Sequence, residues 1–416
     1  MDKRRVVVTG VGPVTPIGIG KEKFWNNLLA GVSGIGAITA FDTTNFNVKI
    51  AGEVKDFDFV NFGDKKEGRR MDRVAQFAVA AAKLAIEDAG IDFAKEDPYR
   101  AGVCVGSGVG GLNTFTEQTI KYKEKGPHFV SPLFIPMLIG NMCSGEIAIT
   151  FGLKGVNTCI QTACATGSHS IGDAFRTILC DEADVMLAGG SEAAVNPMAI
   201  AGFSNMKALS TRNDEPEKAS RPFDKERDGF ILGEGAGVLV LEELEHAKKR
   251  GAKIYAELVG YGANCDAYHI TAPDPEGIPA AECFKMALQS GGLKPEDVDY
   301  INAHGTSTSL NDKSETMAIK AVFGEHAKKL AVSSIKSMIG HLLGAAGGVE
   351  AIATVLSIAE GIVPATINYE TPDTENGLDL DYVPNVARKL NVWVALSNNL
   401  GFGGHNACLA FKKFEQ

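Results

Sequence analysis

Two stretches of this chain follow one design. Lys83-Leu-Ala-Ile-Glu-Asp-Ala-Gly90 and Lys285-Met-Ala-Leu-Gln-Ser-Gly-Gly292 each read as a helix stopped by glycine. Each is followed by a polar loop and a strand-like run ending in small residues, Val103-Cys-Val-Gly-Ser107 in one and Tyr300-Ile-Asn-Ala-His-Gly305 in the other. Glycine just past the last helical turn supplies a left-handed cap. The repeat predicts two related halves, each alternating strands with helices. Such a pattern belongs to the α/β class, with parallel sheets covered by helices and ligand chemistry at the carboxyl ends of strands. The junction falls near residue 255, where the charged segment Leu241–Arg250, read as helix, gives way to a strand at Ile254–Val259. The chain thus divides into 1–255 and 256–416. No Pro/Ser-rich linker separates the halves, so they are expected to pack as one rigid body with a site built between them.

At 416 residues the chain is long enough for two such halves. Its net charge of −10 stands against a general nucleic-acid binder, whose surface must displace counterions from phosphates. Any acidic partner therefore needs a local basic patch. The eight cysteines, at 104, 143, 159, 164, 180, 265, 283 and 408, form no CxxC pair and no regular framework. Reduced thiols in a cytoplasmic setting are expected, with no structural metal. The strand Arg5-Val-Val-Val-Thr9 begins almost at once, so no signal or transit segment is expected. The longest apolar stretch, about 339–358, contains His341 and Glu350 and is rich in Gly and Ala. It reads as a tightly packed buried helix, not a membrane span.

Cys164 sits where a strand-like run breaks into small residues that open a helix, Thr162-Ala-Cys-Ala-Thr-Gly167. Free cysteines are mostly buried structural residues. At a helix start, however, unpaired N–H groups and the dipole stabilise a thiolate, and a lowered pKa is expected. His304 ends a strand in Asn302-Ala-His-Gly-Thr-Ser-Thr308, and His341 reads as the opening of the buried helix. A histidine held neutral there donates through Nε2–H, which suits a developing enolate. In Asn399-Leu-Gly-Phe-Gly-Gly404 the ring of Phe402 stands between glycines.

Together these motifs, with Lys336-Ser-Met-Ile-Gly-His-Leu-Leu-Gly-Ala-Ala-Gly347, resemble the β-ketoacyl-acyl-carrier-protein synthases of the thiolase superfamily. The resemblance spans the chain. Lys207-Ala-Leu-Ser-Thr-Arg-Asn213 and Ser220-Arg-Pro-Phe-Asp-Lys-Glu-Arg-Asp-Gly-Phe230 are similar to the elongating, type II branch. The resemblance implies a thiolase-like fold of two pseudo-repeated βαβαβ halves, in which sheets sandwich helices as αβαβα layers. It implies that Cys164 accepts an acyl chain from acyl carrier protein and that His304 and His341 complete a Cys-His-His site. An acyl-enzyme then condenses with malonyl carrier protein as carbon dioxide leaves, extending a fatty acyl chain by two carbons without a cofactor. The Cys164 and Phe402 N–H groups would form the oxyanion hole.

By the same resemblance, Lys336 and Glu350 form a buried supporting pair that Asp312 and Glu315 join. Thr306 and Thr308 bind the pantetheine arm, Phe402 gates the site, and Val109 and Phe134 line the acyl tunnel, Phe134 from across a homodimer interface. Lys65, Lys66, Arg69, Arg70, Lys207 and Arg212 are candidates for the patch that meets acidic carrier protein. Two residues depart from the common pattern: Ser309, where proline is frequent, and His405, where threonine is frequent.

Several rivals fit less well. A thiolase needs a second catalytic cysteine, for which Cys265, Cys283 and Cys408 lack the context. An initiating, type III synthase carries Cys-His-Asn, against His341, and a non-catalytic chain-length partner lacks the nucleophile. A type I elongating synthase or a polyketide-type ketosynthase remains the alternative within the family. From another class, Gly106-Ser-Gly-Val-Gly-Gly111 satisfies GxGxxG, but the acid expected about 20 residues later is missing from Pro127-His-Phe-Val-Ser-Pro132.

Overall fold

In the computed structural model, which describes residues 4–415, ten strands carry the architecture. Five come from the first half: β1 (Val6–Thr15), β2 (Ala101–Gly106), β3 (Asn157–Thr158), β4 (Val185–Glu192) and β5 (Gly235–Glu243). Five come from the second: β6 (Ala256–Cys265), β7 (Tyr300–Asn302), β8 (Ala331–Ser333), β9 (Val394–Gly401) and β10 (His405–Lys412). The first set lies in the order β3-β2-β4-β5-β1 and the second in the order β8-β7-β9-β10-β6. Strand senses match as well. β2 runs parallel to β3 and β4, while β5 is antiparallel to β4 and β1. β7 runs parallel to β8 and β9, while β10 is antiparallel to β9 and β6. The expected pair of sheets is continuous, because Val6–Val8 of β1 pair antiparallel with Ala256–Leu258 of β6.

Four helices complete the repeat: α1 (Arg73–Ala89), α2 (Thr166–Leu179), α3 (Ile278–Gly291) and α4 (Ala346–Glu360). α1 and α3 end as the repeat predicts, with Gly90 at φ 61° and Gly292 at φ 63°. Of the sheet strands, α1 packs on those of the first half and α3 on those of the second. α2 and α4 touch each other and strands of both halves. This gives five layers, with α2 and α4 in the middle.

A helix in the middle layer has no solvated face, so it must be apolar all round or pair what is polar. Accordingly α4 is buried from Ala346 to Ile358, with Glu350 inside. The Leu343–Glu360 stretch is long and apolar enough to cross a membrane, and the fold uses it as this core helix.

Some boundaries differ from expectation. Leu241–Glu243 belong to β5, because pairing with β1 continues to Val6↔Glu243; the helix starts at Leu244, where the Glu243 side chain accepts from His246 N at 2.9 Å. β6 starts at Ala256 and runs to Cys265, drawn out by its pairing with β10 as far as His405. The apolar stretch near 339 is two helices, Lys336–Ile339 and α4, interrupted at Gly340, which takes φ 73°.

Candidate active site

After β3 the chain is irregular until Ala163, which takes φ 50° and opens a 3-10 turn, Ala163–Ala165, that leads into α2. A positive φ is unfavourable for an L-residue with a side chain, so the packing around the turn holds it there. Cys164 is thereby set at the wall of a cavity of about 390 Å³, shared with His304, His341, Thr306, Thr308 and Phe402. The helix-start position predicts a lowered thiol pKa, and the structure corrects this. Burial pushes the Cys164 thiol up to about 12, against the pull of the Lys336 ammonium and of the Phe402 backbone N–H at the sulfur. The resting sulfur is therefore a thiol.

His304 lies two residues past β7. Its Nδ1 faces Asn399 Nδ2 at 3.3 Å and Lys336 Nζ at 3.5 Å. Both neighbours are donors, so Nδ1 accepts and the neutral ring carries its proton on Nε2. His341 does not open α4, as the sequence suggested. It precedes the helix by five residues, bridging in extended form to Leu232, with its N–H donating to Ile231 O at 2.7 Å and its carbonyl accepting from Gly233 N at 2.9 Å. The Leu343 N–H donates to His341 Nδ1 at 3.3 Å, which again leaves the proton on Nε2. The rings are 5.3 Å apart and nearly perpendicular. Burial holds both imidazoles well below their ordinary pKa, and the Lys336 charge lowers them further. Both are therefore neutral Nε2–H donors. The neutrality comes from burial and a nearby cation, not from a helix end.

Lys336 and Glu350 form the expected buried ion pair. Lys336 Nζ also donates to His304 O at 2.7 Å. Asn399 Nδ2 donates to Glu350 Oε2 at 2.6 Å, and Ser168 Oγ of α2 donates to Asn399 Oδ1 at 2.5 Å. Burial raises Glu350 above the usual carboxylate range despite Lys336. Glu315 accepts from His304 N at 2.7 Å, Gly305 N at 2.8 Å and Asn398 Nδ2 at 2.8 Å, and burial takes it up to about 7. Asp312 joins through Asn311, which donates to both carboxylates; Phe223 N also donates to it at 2.8 Å, and Arg227 lies 3.7 Å away.

Val109 lines the cavity, and the Thr306 and Thr308 hydroxyls lie 3.0 Å apart on its wall. Phe134 does not line it; the ring stacks near Phe115, 6.5 Å away, on the outer face. Lys207 is exposed and lines the cavity, whereas Arg212 is half-buried and donates to Glu226 O at 3.0 Å. Lys65, Lys66, Arg69 and Arg70 lie exposed on and just after the short helix Lys65–Gly68, and none lines the cavity.

The GxGxxG turn is not a phosphate cradle. The Gly108 and Val109 N–H groups donate to the buried carboxylate of Glu192, at 2.8 and 3.3 Å. Sequence reasoning missed Glu192, Asn399 and Ser168, and also Phe230, whose ring meets His341 at 5.3 Å. Asn399 lay inside a recognised motif, a signal that a polar residue beside the Phe402 turn could have supplied.

Residues 3–247 match the family model of the β-ketoacyl synthase N-terminal domain, and residues 255–370 that of the C-terminal domain. A relative from Synechocystis sp., a 3-oxoacyl-[acyl-carrier-protein] synthase 2, is 55% identical across 100% of this chain and 99% of its own. A protein of the same name from Staphylococcus aureus (strain COL) is 53% identical, covering 99% of each. Among solved structures, a β-ketoacyl synthase from Burkholderia phymatum STM815 superposes with a TM-score of 0.91 at 35% identity, over 99% of this chain and 100% of that one. A ketosynthase solved in complex with a type II polyketide acyl-carrier protein gives 0.92 at 36% identity, with the same coverage.

Proposed function

The chain belongs to the β-ketoacyl synthase family, and from that membership and the geometry of its cavity we propose how its residues divide the chemistry of an elongating condensing acyltransferase. Cys164 Sγ attacks the thioester of an acyl carrier protein, the carrier's thiol leaves with the proton, and the acyl group stays on sulfur. A malonyl carrier then enters. The His304 and His341 Nε2–H groups hold its thioester oxygen while carbon dioxide departs, and the enolate carbon attacks the acyl-enzyme carbonyl. The Cys164 and Phe402 N–H groups take up the oxyanion, each such donor being worth about 3 kcal/mol in the transition state. Collapse of that intermediate expels Cys164 as a thiolate, which takes a proton from solvent to restore the resting thiol and closes a two-stage, ping-pong cycle.

The observation that carries this reading is the pair of neutral imidazoles, each with Nδ1 engaged, placed in one cavity with Cys164. Thr306 and Thr308 are assigned to the pantetheine arm, Val109 to the acyl chain and Phe402 to gating. Lys207 at the cavity wall is the first residue of the basic patch for carrier protein, with Arg212, Lys65, Lys66, Arg69 and Arg70 as its outer candidates. A homodimer is supported by exposed apolar side chains on the segment that carries Phe134, among them Phe115, Ile120, Phe129, Ile135 and Ile149, together with the exposed edge strand β3. Phe134 would reach the partner's tunnel across that interface.

Intact-protein mass spectrometry after mixing with an acyl carrier protein thioester tests the central assignment. The wild type is expected to gain one acyl mass, and Cys164→Ser to gain none at a comparable rate. An equal adduct on the variant would remove Cys164 from its role.

A further inference from the structure

The two halves repeat more than strand order. In the first, Ala163 at φ 50° opens the 3-10 turn that leads into α2; in the second, Leu343 at φ 46° opens the 3-10 turn Leu343–Ala345 that leads into α4. Gly344 is thus the counterpart of Cys164. The contacts correspond too. The end of β9 lies against the Cys164 turn, where a Cβ on Gly401 would come within 3.3 Å of Cys164 N. The end of β4 lies against the Gly344 turn, where Glu192, the last residue of β4, accepts from Gly344 N at 3.0 Å. Around Cys164 the backbone N–H has no hydrogen-bond acceptor among the described residues. Around Gly344 the corresponding N–H is already occupied by a carboxylate.

Glu192 is fully buried, and among the described residues no lysine or arginine pairs with it. Four donors hold it instead. Ser107 Oγ (2.8 Å) and Val109 N (3.3 Å) donate to Oε1, and Gly108 N (2.8 Å) and Gly344 N (3.0 Å) to Oε2. Such charge-assisted bonds are the stronger kind. The two turns they join are also in direct contact, since a Cβ on Gly344 would come within 2.3 Å of Gly108 N. Gly108, Val109 and Leu343 all line the cavity beside Cys164.

We propose that Glu192 is a positioning residue for the acyl group: its carboxylate occupies the second-half counterpart of the Cys164 N–H and clamps the Gly108–Val109 wall of the cavity to the Leu343–Gly344 wall. This rests on the reading of the cavity as the acyl site of Cys164. With the walls clamped, the width beside the nucleophile is set before the substrate arrives. A glutamine cannot reproduce the carboxylate, because its amide NH₂ would face two of the four donors: Ser107 Oγ and Val109 N in one orientation, Gly108 N and Gly344 N in the other.

The test compares steady-state kinetics of the wild type, Glu192→Gln and Ser107→Ala over acyl carrier protein donors of medium to long chain, with Tm as the check on folding. Glu192→Gln is expected to raise the KM for the acyl donor about tenfold while kcat at saturation stays within about twofold. The spread of kcat/KM across chain lengths should flatten. Ser107→Ala, which removes one donor and leaves the carboxylate, should shift the profile in the same direction by less, and it decides the matter if Glu192→Gln does not fold. A chain-length profile unchanged in shape, with or without a uniform loss of rate, overturns the proposal. Failure of the wild type itself to form an acyl-enzyme would overturn the role of Cys164 instead, so the two failures are distinguishable.

Discussion

Lys336 shows how a single side chain can tie a buried carboxylate to a histidine at the cavity wall. Its ammonium, 1% exposed, holds Glu350 and the His304 carbonyl at once and lies beside the His304 ring. Replacing it leaves a buried carboxylate without its cation, and breaking such a pair costs about 3–5 kcal/mol. Lys336→Met is therefore expected to lose roughly that much in urea denaturation. Pairing it with Glu350→Leu should recover most of the loss, because an apolar pair of similar volume needs no charge partner. Condensation should not recover with it, since Asn399 would lose its acceptor and His304 its backbone anchor. A double variant with both stability and activity restored would show that the pair only fills space.

At the scale of elements, the site depends on how closely α2 and α4 approach. A Cβ on Gly167 would come within 2.6 Å of Gly348 N, so Gly167→Ala must push the two central helices apart. Overpacking of this kind typically costs about 1–3 kcal/mol. A lower Tm is expected, together with slower acylation of Cys164, which sits just ahead of the Gly167 turn. Elements of this kind were partly legible in the sequence. The glycines closing α1 and α3 announced the repeat, because a left-handed cap has a local signature. The small residues around Cys164 likewise announced a helix start. The position of His341 was hidden, since the apolar pattern runs unbroken through the Gly340 interruption and periodicity alone reads it as one helix. The elevated thiol of Cys164 and the role of Glu192 were hidden for another reason. Burial and the approach of β4 to the second half arise only when the halves dock, and no local pattern encodes them.

For the molecule as a whole, histidines set opposite limits on the pH range of stability. His246 is raised to about 9, first by its bond to Glu242, at 2.6 Å, and then by Glu96, at 2.9 Å. Its folded pKa lies above an unfolded value of about 6.5. The stability it contributes is therefore fully present below about 6.5 and lost as pH rises through about 9. His304 and His341 are depressed by burial, so an unfolded chain binds their protons more readily, and stability falls as pH drops below about 6.5. Tm measured from pH 6.5 to 9 is expected to fall more steeply in the wild type than in His246→Gln. Parallel curves would assign His246 no part in the alkaline limit.

The short pairing of β1 with β6 has a consequence of a different order. Viewed along the axis between those strands, the protein is a pseudo-symmetric dimer whose two subunits share one chain. Identical chains must give both faces of such an assembly the same residues, so any change to one site is imposed on the other. Linkage in a single chain removes that constraint: one helix start carries a thiol, and its twin holds a carboxylate. An asymmetric division of labour between two equivalent positions is thus open to a fused pair and closed to a symmetric one.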